Sequence, residues 1–357
     1  MAQNEFRFFD THIHFTENTP VDVSVESYKK LFALTGVEKA AFLSLPGSTS
    51  EGAGPAQNVK ALYYKDVFSP NGYAFAGLIH NRALDEEGQS RNLLHQVERY
   101  FEAGFDGLKM LEGKPTMRKA LKIRLTDGIF DRMFAFLEEN HIPITLHNAD
   151  PATFWDLSKM TPHEISRGWF CDASLPTKDE MFEEVMTIMD RHPRLHLTMA
   201  HYGFTSDALD QAQRFLDGYE HTALDTTPGW EQYVNMYGDI AHWQPFLETH
   251  VHRIKYGTDS YNVYNPDEKA MTARQLHQPT IIRNFMQGCG EYEIYGHTYS
   301  GIQLASQLLQ KIYYENASKE YGKPKPISKQ FVAEEIAANR AEEEQYDLAV
   351  IAEHFGV

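Results

Sequence analysis

The feature that most limits what this chain can fold into is a repeated alternation of short apolar runs with stretches of helical spacing. Eight runs can be traced: Phe8 to Phe15, Lys39 to Leu45, Tyr73 to His80, Asp106 to Leu111, Ile142 to His147, Leu195 to His201, Thr222 to Thr227 and Arg253 to Asp259. Runs this short and this apolar are how strands buried on both faces read. Most gaps carry a helix signature, as in Ser90 to Ala103, where Leu93, Leu94, Val97 and Phe101 share one face and Gly104 follows as a stop. Similar spacing predicts helices over Asp22 to Leu34, Gln57 to Val67, Asp127 to Asn140, Lys178 to Arg191, Ser206 to Leu216 and around Ile240 to Thr249. Strands that alternate with helices make a parallel sheet, and eight is the number that closes a (β/α)8 TIM barrel. The competing open sheet lacks support, because no Gly-x-Gly-x-x-Gly follows the first strand.

The second strand is expected to stop at Pro46-Gly47, and from Asn262 onward the chain reads mostly helical, ending with Ser328 to His354. These are additional C-terminal helices packed on the barrel. The chain is therefore one domain over residues 1–357, with a barrel core about 6–290 and a C-terminal helical extension about 291–357. Its 42% hydrophobic content is enough to fill such a core. The formal charge of −17 disfavours nucleic acid and anionic membrane, which bind through basic faces. Cys171 and Cys289 make no metal or redox motif. Met1 to Arg7 does not read as a signal peptide, and no apolar run would span a bilayer, so a cytoplasmic setting is expected. Barrels of this size commonly self-associate, and a homodimer is expected.

In such a barrel the active site forms at the C-terminal ends of the strands. Polar groups recur there: His12 and His14 on the first strand, Lys109 on the fourth, His147 on the fifth, His201 on the sixth, Asp225 on the seventh and Asp259 on the eighth. His12 and His14, two apart on a strand, project to one face. Three imidazoles and a carboxylate suit one divalent metal with a position left for water, whose pKa it would lower. The chemistry points to His12, His14, His147 and Asp259 as ligands and His201 as general acid/base, although spacing alone does not decide between His147 and His201. Asp225 reads as a partner that orients a ligating imidazole. Trp155 and Trp169, in the long loop after the fifth strand, are candidates to shape the substrate pocket, with Trp155 and Lys109 taken as substrate contacts. His80, at the end of the third strand, reads as a loop cap, with a place in the pocket lining as the alternative. His163, His192, His221, His242, His250 and His252 read as surface residues.

Four segments, Thr11-His12-Ile13-His14, Leu146-His147, Ala200-His201-Tyr202-Gly203 and Tyr256-Gly257-Thr258-Asp259-Ser260, resemble in order those of the amidohydrolase superfamily. The resemblance is to the amidohydrolase-related branch that includes aminocarboxymuconate-semialdehyde decarboxylase. It implies a mononuclear metal site on His12, His14, His147 and Asp259, with His201 as catalytic base. Zinc is the expected ion and manganese the alternative. Other branches imply a second arrangement, a carboxylated Lys109 between two metals. The expected reaction is metal-dependent hydrolysis of an ester, lactone or amide of a small molecule, with Asp259 sharing the proton of the attacking water. Non-oxidative decarboxylation of a small carboxylic acid on the same site is the alternative. It would need a cation to hold the carboxylate, from among Arg82, Lys109, Arg118 and Arg124.

Overall fold

The computed structural model describes residues 6–16, 19–45, 54, 56–261, 267–294, 296–342 and 347–357. Pro46-Gly47 and Asn262 lie outside the described residues.

The strands are β1 (Phe8–His14), β2 (Val37–Leu43), β3 (Gly72–Gly77), β4 (Gly107–Gly113), β5 (Ile144–Asn148), β6 (Leu197–Met199), β7 (Thr222–Asp225), β8 (Ile254–Lys255) and β9 (Ser260–Tyr261). They form one sheet of consecutive parallel neighbours, with β8 beside β7 at one edge and β9 beside β1 at the other. Since β8 and β9 are two pieces of the eighth predicted strand, the sheet closes on itself. Thr11 N–H donates to Tyr256 O at 2.9 Å and Asp259 N–H to His12 O at 2.8 Å across that seam. The result is a TIM barrel with C-terminal additions.

The predicted helices are present, several with the stops and starts their residues dictate. Gly36 and Gly104 end theirs in the left-handed region at φ 77° and 95°. Asp85 and Thr177 accept hydrogen bonds from the first turns of helices Glu86–Ala103 and Lys178–Arg191. Among the described residues before the C-terminal extension, three helices add to the expected set, Pro115–Leu121, Pro162–Ser166 and Trp230–Gly238. The C-terminal extension is not purely helical: Glu291–Ile294 and His297–Ser300 pair as an antiparallel hairpin. Their alternating Tyr and Ile against Glu and Thr have a strand period that the surrounding helical spacing concealed.

The remainder of the extension closes the lower end of the barrel. Tyr314 and Tyr321 join Phe9, Leu43, Tyr73 and Phe75 in one buried cluster. Phe9 lies 5.6 Å from Tyr321, ring to ring. A register irregularity in β1 allows this. From Asp10 to Ile13 the strand advances three residues while its partner advances two, from Ala40 to Phe42. The extra residue reverses the alternation, so Phe9 joins the lower cluster and His12 and His14 still turn to the site above it.

Candidate metal and catalytic site

His12 and His14 are fixed in orientation before any ligand is considered. His12 Nδ1 faces the buried Asp225 carboxylate, 2.8 Å from Oδ2. His14 Nδ1 faces the Leu43 carbonyl at 2.8 Å. Both partners accept only, so each Nδ1 carries its ring's proton and each Nε2 presents a lone pair. The two Nε2 atoms stand 3.1 Å apart. Asp259 Oδ1 lies 3.9 Å from one and 3.6 Å from the other. Candidate ligand atoms of His12, His14 and Asp259 all fall within 4.8 Å of one another. Two convergent lone pairs beside a carboxylate are a donor set for a divalent cation. These residues fit the metal that the sequence implies.

Burial holds all four imidazoles, on His12, His14, His147 and His201, well below the usual histidine range. They are neutral at pH 7, the state in which an imidazole binds metal or accepts a proton. Burial pushes the Asp259 carboxyl up to about 7, opposed by Lys109.

The strand ends that deliver these groups turn sharply. Asp259 adopts φ 56° in the break between β8 and β9. After β6, His201, Tyr202, Gly203 and Phe204 all have positive φ, between 51° and 62°. Left-handed backbone costs a non-glycine residue on the order of 1 kcal/mol. Asp225 Oδ1 holds this turn by accepting from His201 N at 2.8 Å and from Thr227 N at 3.1 Å. Gly203 sits at φ 62°, where glycine is unstrained, and a Cβ there would lie 2.8 Å from Met199 Cε, the far end of a flexible side chain. Gly257 is similar, since a Cβ would come within 2.9 Å of His12 Cβ. Asp10, buried and pushed up to about 7 by that burial, ties the seam by accepting from Thr258 Oγ1 at 2.6 Å and from His12 N at 3.2 Å.

A cavity of about 540 Å³ opens above the site, with His14, His147, His201 and Asp259 in its wall. Phe154 and Trp169 form an aromatic side, and Lys114, Asp150, Arg167, Glu231 and Tyr261 supply polar groups. The wall loop between β5 and helix Lys178–Arg191 carries its own small core of Phe154, Met160 and Cys171. Cys171 is a free buried thiol pushed up to about 12 by desolvation, so it packs rather than reacts.

The expected site residues are brought together unequally. His12, His14 and Asp259 converge. His147 lines the cavity, but its Nε2 faces Asp150 Oδ1 at 3.2 Å and it is not in the close donor group. Its ring lies 4.9 Å from that of His201, which stacks on Phe204. Lys109 does not line the cavity. It is fully buried beneath it, with Nζ 3.1 Å from His12 Nε2, and burial lowers its ammonium pKa to about 8. Trp155 is also outside the lining, because its indole donates to Pro176 O at 3.1 Å; Trp169 takes that place.

Arg82, Arg118 and Arg124 do not line it either. Arg118 and Arg124 lie 2.6 Å and 3.5 Å from Glu184. The cations that do are Lys114, paired with Asp150 at 2.9 Å, and Arg167, whose guanidinium lies over the Trp169 ring at 5.6 Å. Lys114 and Arg167 sit in loop or helix-start positions whose spacing carried no signal. His80 is not a loop cap but a buried partner of Glu112, at 2.7 Å. His250 is buried beside Phe246, while His163, His242 and His252 are exposed.

Comparison with known proteins gives a consistent picture. The family model described as Amidohydrolase matches residues 9–323. Among solved structures, the chain is similar to an uncharacterised TIM-barrel protein from Bordetella bronchiseptica, with a TM-score of 0.56 and 12% identity over 89% of this chain and all (100%) of that one. It is similar to a putative amidohydrolase from Staphylococcus aureus, with a TM-score of 0.50 and 15% identity over 89% and 100% of the two chains. A dihydroxybenzoic acid decarboxylase from Polaromonas, solved with bound manganese and an inhibitor, follows at a TM-score of 0.49 and 12% identity over 88% and 97%. No curated protein matches the chain.

Proposed function

This chain belongs to the amidohydrolase family, and we propose that it is a metal-dependent hydrolase of a small, partly apolar substrate that carries a carboxylate. The observation that carries this reading is the convergence of the His12 and His14 lone pairs with Asp259 at the base of a closed-bottom cavity. His12, His14 and Asp259 would hold a divalent ion, zinc or manganese, with His147 as the fourth ligand that the family resemblance implies. When bound, the ion supplies Lewis acidity, making water acidic enough to lose a proton near neutral pH.

Burial holds His201 neutral, so a ring nitrogen can accept a proton from water. Asp225 holds the His201 turn and the His12 ring in one grip, so base and ligand keep a fixed relation. Arg167 and Lys114 seat the substrate's anionic group, and Phe154 and Trp169 pack its apolar part.

The same two cations favour a second reading, decarboxylation, in which the carboxylate they hold is the group that leaves. Turnover in ¹⁸O-labelled water separates the two. Hydrolysis places the label in an organic product. Release of CO₂ with a solvent proton on the adjacent carbon is the decarboxylase outcome, and contradicts hydrolysis.

A further inference from the structure

Where β2 and β3 begin, at the end of the barrel away from the metal site, a second cavity of about 590 Å³ carries groups that the chemistry above does not use. Four lysines line it, Lys39, Lys65, Lys323 and Lys325, with one acid, Asp66. Lys65 is already satisfied, since its buried Nζ donates to Asp106 Oδ2 at 2.7 Å and to Gly104 O at 2.6 Å. Asp66 is engaged too, with Oδ2 2.8 Å from His354 Nε2. The other three ammonium groups have no carboxylate partner among the described residues.

What they have instead is aromatic. Lys39 Nζ lies over the rings of Tyr314 and Phe9, at 5.2 Å and 5.5 Å, and donates once, to Ser318 Oγ at 3.3 Å. Two of its three N–H groups are left over. Lys325 Nζ lies 3.3 Å from the centre of the Phe101 ring. Burial lowers its ammonium to about 8, opposed by Asp106, so it is still charged at pH 7. Lys323 is exposed. A ring face attracts a cation but does not cancel its charge.

The strap that carries two of these lysines is held in place. In Lys323-Pro324-Lys325-Pro326 the prolines fix every second φ. Gly322 O accepts from the Tyr73 hydroxyl at 2.7 Å, Lys325 N donates to Asp106 Oδ1 at 2.9 Å, and Ser328 N donates to Ala103 O at 3.0 Å. Cations on a backbone pinned this way need little ordering to meet an anion.

We propose that this cavity binds the phosphate group of a small molecule, with Lys39, Lys323 and Lys325 as its cationic contacts. A phosphate monoester brings about two negative charges and three acceptor oxygens, and a carboxylate only one charge. The first matches a group of ammonium ions that the second would leave largely uncompensated. The formal charge of −17 repels an extended polyanion, so the partner is small. The wall beside Pro70 and Tyr73 has room for the rest of an ester.

Calorimetric titration of the full chain in phosphate-free buffer with inorganic phosphate, glycerol phosphate and acetate tests this. Both phosphates are expected to bind with a Kd of about 1 mM or tighter, and acetate at least about tenfold more weakly. Lys39→Gln and Lys323→Gln are each expected to weaken phosphate binding about tenfold. Lys323 is exposed, so its variant serves if the other does not fold. Arg167→Gln, in the metal-site cavity, is expected to leave phosphate affinity within about twofold.

Tighter binding of glycerol phosphate than of inorganic phosphate identifies an ester as the occupant, and any other order identifies phosphate itself. Acetate binding as tightly as phosphate overturns the proposal. So does phosphate binding that both lysine variants leave unchanged; if Arg167→Gln abolishes it instead, the anion sits in the metal-site cavity. Binding of neither phosphate overturns the proposal outright.

Discussion

Asp225 shows how much one side chain is asked to do. Its Oδ2 receives the His12 imidazole and its Oδ1 two backbone amides, His201 N and Thr227 N. Asp225→Asn keeps the shape but loses the charge that stabilises the Nδ1–H tautomer of His12. Metal affinity is expected to fall about 10- to 100-fold, read from competition with a chelator. His201→Ala is expected to lower kcat by about 10² to 10⁴ while metal content stays unchanged. Metal loss in that variant would move His201 among the ligands. Glu231 makes a prediction of stability against pH. Burial raises its carboxyl from an ordinary 4.5 to about 7, so the folded state binds the proton more tightly than the unfolded chain. Stability attributable to this group is intact below about pH 4.5 and is lost as pH rises through about 7. Glu231→Gln should therefore match the unsubstituted chain at about pH 4 and exceed it at about pH 8, by about 3 kcal/mol at most, in urea unfolding. Most of these residues were legible by type and position, because a His or Asp at the end of an apolar strand has few structural uses. Their partners were not. Asp10 directly precedes the His-x-His motif, yet nothing in its spacing told that it would grip Thr258, nearly the whole barrel away in sequence.

Among the elements, the turn after β6 is the one under most strain. Its four consecutive left-handed residues are anchored where Asp225 accepts from the His201 amide. Gly203→Ala adds a Cβ 2.8 Å from Met199 Cε to a residue at φ 62°. It is expected to cost about 1–3 kcal/mol in chemical unfolding and to lower kcat more than it changes metal content, because it displaces His201. Strand and helix order were readable from apolar spacing, since a parallel barrel buries every strand on both faces. Three things were not. The Glu291–Ser300 hairpin is half exposed, so its alternation is carried by few apolar residues. The bulge in β1 depends on register with β2, which no single run encodes. The eighth strand looked continuous from Arg253 to Asp259, whereas its middle leaves the ladder to place Asp259 over the histidines.

At the scale of the whole molecule, the C-terminal extension and the barrel divide the work. Tyr314 and Tyr321 pack into the cluster at the lower end, and Phe154 and Trp169 from the loop after β5 wall the upper cavity. No helix among the described residues is long and apolar enough to cross a membrane. The cavity wall sets two cations, Lys114 and Arg167, among the acids Asp150, Glu231 and Asp259. The central claim is that His12, His14 and Asp259 hold a catalytic metal. Plasma emission spectrometry on the chain purified without chelator, beside His12→Ala and Asp259→Ala, tests it most directly. About one zinc or manganese per unsubstituted chain, falling to near zero in both variants, is the expected result. No metal in the unsubstituted chain, and none taken up on reconstitution, would contradict it.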